Sequence, residues 1–165
     1  MIKAVPDKQA SSKPKRFDSP QQEVYLNLWR TYDRLRAFED ELFARHGLTA
    51  QQYNALRLLR AAHPRAVPTL AIATKLISRA PDITRLLDKL HDRGLIDRER
   101  PAENRRTVMV GITDAGLALI EEINPQVRDC HVRQLGHLEP GEMKTLVELL
   151  NKVRAPHEPD GSTWR

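Results

Sequence analysis

The chain has 165 residues, a net charge of +5, a pI near 9.6 and one cysteine. That length is enough for one sizeable core, and the lone Cys130 excludes an internal disulfide framework. No long apolar run and no signal-peptide core near Met1 is present, which points away from a membrane and toward the cytoplasm, while the positive charge suits a polyanion without requiring one.

Residues 1–19 carry Lys3, Lys8, Lys13, Lys15 and Arg16 with Pro6, Pro14 and few large apolar side chains. Such a segment cannot bury enough surface to offset its ordering entropy, so it reads as a flexible basic arm. Residues 20–62 read as N-terminal helices. Pro20 opens a long one to about Arg45, in which Val24, Leu28, Leu35 and Leu42 set an apolar beat alongside Tyr25, Trp29, Tyr32 and Phe43. The stripe is broad for one helix. His46-Gly47 ends it. Thr49-Ala50-Gln51-Gln52 then has the spacing of a capping box, and Tyr53, Leu56 and Leu59 carry a second helix to about Ala62.

Residues 63–113 hold the stretch around which the rest is organised. His63 to Pro68 is a connector, with Val67 expected as a very short strand. Leu70, Ala73, Leu76 and Ile77 recur at helical spacing, and Ser78-Arg79-Ala80 breaks the pattern. Pro81 suits the first turn of a further helix, because its missing N–H is a donor left free there anyway. Ile83, Leu86, Leu87 and Leu90 form the buried stripe of that helix. Arg79, Asp82, Thr84, Arg85, Asp88 and Lys89 fall outside it, and Gly94 stops it. Leu95–Arg100 and Thr107–Ile112 read as strands joined by a turn over residues 101–106, with Val108, Val110 and Ile112 facing one way. Two helices followed by such a hairpin make a winged helix-turn-helix. Its second helix suits the major groove of double-stranded DNA, and Arg105 and Arg106 sit where they can touch backbone or minor groove. From Thr69 to Thr113 nine Lys and Arg face six Asp and Glu, so much of the basic excess lies in this reading head.

Residues 114–154 are expected to be helical again. Thr113 can cap the first of these helices and Asp114 favours its first turn. Leu117, Ile120, Ile123, Val127 and Cys130 follow, with a kink expected at Pro125. Pro140-Gly141-Glu142 begins the last helix, whose stripe is Met143, Leu146, Val147, Leu150 and Val153; residues 155–165 read as a frayed tail. The first helix and the last two hold more apolar face than the winged helix can cover. Burial against a second copy relieves the excess, and a two-fold dimer would present two recognition helices to half-sites of a pseudo-palindromic operator about one DNA turn apart. The competing reading is a monomeric bundle.

The joint pattern Thr84-Arg85-Leu86-Leu87-Asp88-Lys89-Leu90, Arg93-Gly94-Leu95-Ile96, Arg105-Arg106 and Thr113-Asp114-Ala115-Gly116 resembles the multiple-antibiotic-resistance regulator (MarR) family, over roughly Val24 to Val153 in element order. The resemblance implies a mainly α protein with a small β-hairpin, a homodimer joined through its terminal helices. It also implies a transcription factor, usually a repressor, released from DNA by a small molecule that is often an aromatic acid. By position, Arg79 to Lys89 becomes the major-groove helix, with Ala80, Pro81, Asp82, Thr84 and Arg85 nearest the bases. Arg106 matches the wing arginine of the minor groove and Arg105 its neighbour. One departure is Asn104, where the family usually has an aspartate; a neutral amide orients a nearby arginine more weakly, and Glu103 is a candidate substitute.

Asp82 and Asp88 repel phosphate, so they either accept from base amino groups or pair with Arg85 and Lys89; intramolecular pairing is favoured. Trp29, Tyr32 and Tyr53 are candidates to line an aromatic-effector pocket, against ordinary core packing. Cys130 reads as inert packing rather than a redox switch. Cys130, His131 and His137 match no common zinc spacing, so no metal or cofactor is expected. No phosphate loop, nucleophile elbow or HExxH argues for an enzyme. The alternative to a sequence-specific regulator is a winged helix used for protein interaction or nonspecific architectural DNA binding.

Overall fold

The computed structural model describes residues 16–77, 82–102, 106–160 and 162. Six α-helices lie among them: α1 Pro20–Arg45, α2 Ala50–Ala62, α3 Thr69–Lys75, α4 Ile83–Asp92, α5 Asp114–Leu135 and α6 Pro140–Arg154. Three short strands, β1 Val67–Pro68, β2 Ile96–Glu99 and β3 Met109–Ile112, form one antiparallel sheet in the order β1-β3-β2. The chain is mainly α with a small sheet inside a winged helix-turn-helix, and β1 is the short strand anticipated at Val67. The chain divides into two compact units, one ending at Arg36 and the other beginning at Ala37.

In the first unit, Ser19 Oγ accepts from the Gln22 N–H at 3.1 Å and Gln22 Oε1 accepts from the Asp18 N–H at 2.7 Å. The first of these bonds satisfies a donor that the first turn of α1 leaves open, the second ties that turn back to the chain before it, and Pro20 brings no donor of its own. Val24, Tyr25, Trp29 and Tyr32 are each more than half exposed, with the Tyr25 and Trp29 rings tilted against each other at 6.3 Å.

The second unit holds the core. Leu56 and Leu59 of α2, Ile72 of α3, Leu87 and Leu90 of α4, Ile96 and Val110 of the sheet, and Ile120 and Ile123 of α5 are fully buried. The capping box at Thr49 is formed, its hydroxyl accepting from Gln52 N and the Gln52 side chain accepting from Thr49 N. In the sheet, Val67 pairs with Val110 and Ile96 with Ile112, which buries the face that carries Val110 and Ile112 and half-buries Val108.

One local expectation shifts. Within α3 only Ile72 is buried, and Leu76, the extended residue that follows the helix, is buried with it, whereas Leu70 and Ile77 are 73% and 66% exposed. This helix is seven residues long and starts directly from β1, with Thr69 N donating to Val108 O at 3.0 Å. So short a helix turns only a narrow face to the core, and Leu76 and Ile77 both lie past its last turn. α5 runs from Asp114 to Leu135 with Pro125 inside it. α6 buries none of its residues, and Val147, Leu149 and Val153 are half exposed or more.

Candidate nucleic-acid interface

Residue order along α4 decides what faces outward. Leu86, Leu87 and Leu90 point into the core at i, i+1 and i+4, so Thr84, Arg85 and Lys89 fall on the opposite side and are exposed. Asp82 caps the helix, its carboxylate accepting from the Arg85 N–H at 2.9 Å. Asp88 is bound by the guanidinium of Arg98 on β2. Both aspartates are thus used within the protein, but by partners other than the Arg85 and Lys89 side chains expected from the sequence. The reason is geometric: a capping carboxylate turns toward backbone donors, and Asp88 lies on the flank of α4 that meets the sheet. No carboxylate among the described residues pairs with Arg85 or Lys89. Arg106 is exposed where the wing returns toward β3. Arg79, Ala80, Pro81 and Arg105, with Glu103 and Asn104, lie outside the described residues, as does residues 1–15 of the basic arm.

The wing is held to the helices by a compact knot of backbone contacts. α4 ends in a Schellman turn: Gly94 takes φ +67°, Gly94 N donates to His91 O at 2.8 Å and Leu95 N to Leu90 O at 3.0 Å. The Thr113 hydroxyl donates to Gly94 O at 2.7 Å and accepts from Gly116 N at 3.1 Å, so one side chain both caps α5 and holds the end of α4. Thr113 N donates to Leu95 O at 3.2 Å. Gly116 packs directly over that carbonyl; a Cβ there would stand 2.2 Å from Leu95 O. The RGLI and TxxG segments of the sequence are therefore two halves of one contact.

Arg93 and Arg98, which the sequence offers only as charges, have structural partners. Arg98 ties β2 to α4 through Asp88. Arg93 donates to Gly47 O at 2.7 Å and to His46 O at 3.0 Å, at the far end of α1. Their signal in the sequence is faint, because each partner lies at a different distance along the chain.

The aromatic candidates do not behave alike. Tyr53 stacks on Phe43 with ring centroids 4.6 Å apart and donates through its hydroxyl to Asn124 Oδ1 at 3.2 Å, and burial raises its phenol pKa above the ordinary value. It is a core residue. Trp29 and Tyr32 are exposed on the first unit. A cleft of about 180 Å³ between the end of α1 and α5 is lined by Phe38, Leu42, Gln126, Cys130 and Arg133, and Tyr53 is not part of its lining. Cys130 is buried there, and burial pushes its thiol pKa up. Among the described residues no three His, Cys, Asp or Glu side chains gather as a metal site, and no helix is long and apolar enough to cross a membrane.

Comparison with known proteins agrees with this geometry. The model of the MarR family matches residues 48–108. A MarR transcription factor from Planctomyces limnophilus is 57% identical, covers 82% of this chain with 98% of its own, and superposes with a TM-score of 0.67. A mutant of E. coli MarR complexed with operator DNA is 25% identical, with 79% and 93% coverage and a TM-score of 0.71. BpsR of Bordetella bronchiseptica, whose DNA binding is regulated by 6-hydroxynicotinic acid, is 27% identical, with 79% and 98% coverage and a TM-score of 0.71. An amphipathic α4 with an outward basic face, a wing bolted to its end and this likeness over most of the chain lead to one conclusion: the protein belongs to the MarR family of non-enzymatic, DNA-binding transcriptional regulators.

Proposed function

We propose that the protein works as a homodimer that represses transcription by binding a pseudo-palindromic operator and is released from it by a small aromatic acid. In this reading residues 63–113 form the DNA-binding part, with residues 20–62 and 114–154 supplying support and dimerisation. Arg79, Ala80, Pro81, Asp82, Thr84, Arg85 and Lys89 enter or flank the major groove, and Arg105 and Arg106 reach the minor groove. The observation that carries it is the outward face of α4: Thr84, Arg85 and Lys89 stand exposed without a carboxylate partner among the described residues, while the leucines behind them anchor the helix. A basic face on a rigid helix of this kind suits phosphate and base-edge contact. The self-association half draws support from the uncovered Met143, Leu146, Val147, Leu150 and Val153 on α6, an apolar stripe too continuous for a solvated helix. The effector half draws on BpsR, which responds to a pyridine carboxylic acid. Of the aromatic candidates, Tyr53 is taken up by core packing, which leaves the exposed Trp29 and Tyr32 to be offered to such a ligand.

Footprinting on DNA upstream of its own coding region at physiological salt, with and without aromatic acids, tests the proposal, together with the sedimentation mass. A protected two-fold site, a mass of two chains and loss of protection on adding an acid are expected. Equal binding to random and promoter DNA would favour an architectural role instead, and a monomer without a footprint would remove the reading.

A further inference from the structure

Two helix ends meet at one arginine. α1 closes in a Schellman turn like that of α4: Gly47 has φ +64°, Gly47 N donates to Ala44 O at 3.0 Å and Leu48 N to Phe43 O at 2.9 Å. The turn leaves the carbonyls of His46 and Gly47 without a helical partner, at the negative end of a helix of 26 residues. The guanidinium of Arg93, the residue that caps α4, donates one N–H group to each, at 3.0 and 2.7 Å. It lies across Gly47, where a Cβ would meet its Nη1 in ordinary van der Waals contact at 3.6 Å. The same corner is held to α5, because the His46 ring lies 3.3 Å from Gln126 Oε1 and 3.6 Å from Glu122 Oε1. The end of the recognition helix, the end of α1 and the middle of α5 thus converge on Arg93 and His46.

We infer that Arg93 is a positioning residue for DNA binding: its two-pronged bond to the end of α1 sets the angle of α4, and through it the half-site separation that the dimer accepts. The inference rests on the dimeric, operator-binding reading above. A planar guanidinium suits this task because its N–H groups diverge in a fixed fork and can hold two carbonyls at once. A lysine ammonium reaches the same corner as a point charge and fixes the distance, not the angle. Arg93 itself needs no contact with DNA.

The experiment uses the full-length protein, the variants Arg93→Ala and Arg93→Lys, and duplexes in which the two halves of the footprinted site are moved apart or together by single base pairs. The wild type is expected to show one sharp optimum. In Arg93→Ala, affinity at that optimum drops about tenfold, while duplexes one base pair longer or shorter lose little, so the profile flattens. In Arg93→Lys the profile broadens at nearly unchanged melting temperature. A variant profile as sharp as that of the wild type, even at lower overall affinity, overturns the inference alone, because a merely stabilising bond would scale every duplex equally. Should Arg93→Ala fail to fold, Arg93→Lys decides by the same criterion. A wild-type profile with no preferred spacing removes the dimeric reading and this inference with it.

Discussion

Replacing Gly116 with alanine adds one methyl group at the most crowded point of the wing. That Cβ would stand 2.2 Å from Leu95 O and 2.7 Å from Ile112 Cγ1. An ordinary carbon–oxygen contact needs about 1 Å more, since non-bonded atoms settle near 3.5 Å. Neither neighbour yields easily. Leu95 O accepts from Thr113 N, and Ile96, the next residue, is fully buried in the sheet beside Ile112. Forcing a methyl group into such a place costs about 1–3 kcal/mol, and alanine returns up to about 1 kcal/mol through its better helical propensity. The net expectation is a loss of about 1–2 kcal/mol, or a melting temperature lower by about 2–8 °C for a chain of this size. Gly141→Ala is the matched control. It also lies in the first turn of a helix, has no heavy atom within 4 Å of the added Cβ and has no left-handed φ, so it should gain a few tenths to about 1 kcal/mol. Thermal denaturation of both variants at equal protomer concentration, followed by ellipticity, measures the difference. If Gly116→Ala melts at or above the wild-type temperature, the close approach of α5 to Leu95 is wrong, and so is the account of the TxxG segment built on it.

Further outcomes are expected at four residues. Arg106→Ala should weaken operator binding and reduce the slope of log affinity against log salt by about 1, since one phosphate-associated counterion is no longer released; an unchanged slope removes this wing residue from the interface. Thr113→Ala should cost about 1–2 kcal/mol in denaturant titration, because the α5 cap and the bond to Gly94 O go together, whereas Thr113→Ser should lose much less; equal losses would contradict the hydroxyl's double role. Asp88→Asn should change stability by no more than about 1 kcal/mol, since the carboxylate is half exposed, yet it should lower operator affinity by freeing the wing strand; full affinity would show that the tie to Arg98 is idle. Cys130 should react with a disulfide reagent about a hundredfold more slowly in the native protein than in denaturant. Its raised thiol pKa also predicts a pH trend. The folded state holds the proton more tightly, so this contribution is complete below the ordinary thiol pKa of about 8.5 and is lost as pH rises above it. Wild type should therefore lose stability relative to Cys130→Ala between about pH 8 and pH 10, and parallel curves would contradict the burial.

The helices, their caps and the buried stripe of α4 are legible in the amino-acid order. Thr49 with Gln52, Thr113 with Gly116, and Leu86 with Leu90 interact across three or four residues, and the α-helix brings such neighbours together wherever the segment ends up. The leftover apolar surface of the last helix is legible for the same reason: periodicity reports a stripe even when nothing in the protomer covers it. Partners of the charged side chains are another matter. Arg85, Arg93 and Arg98 look alike as letters, yet one stands free of any carboxylate among the described residues, one spans 46 and 47 residues to the end of α1, and one crosses ten residues to Asp88. Long flexible cations reach many acceptors at nearly equal cost in an unfolded chain. Packing of the core chooses among them, because only when α1, α4, α5 and the sheet have met does each guanidinium find which carbonyl or carboxylate lies within hydrogen-bonding distance.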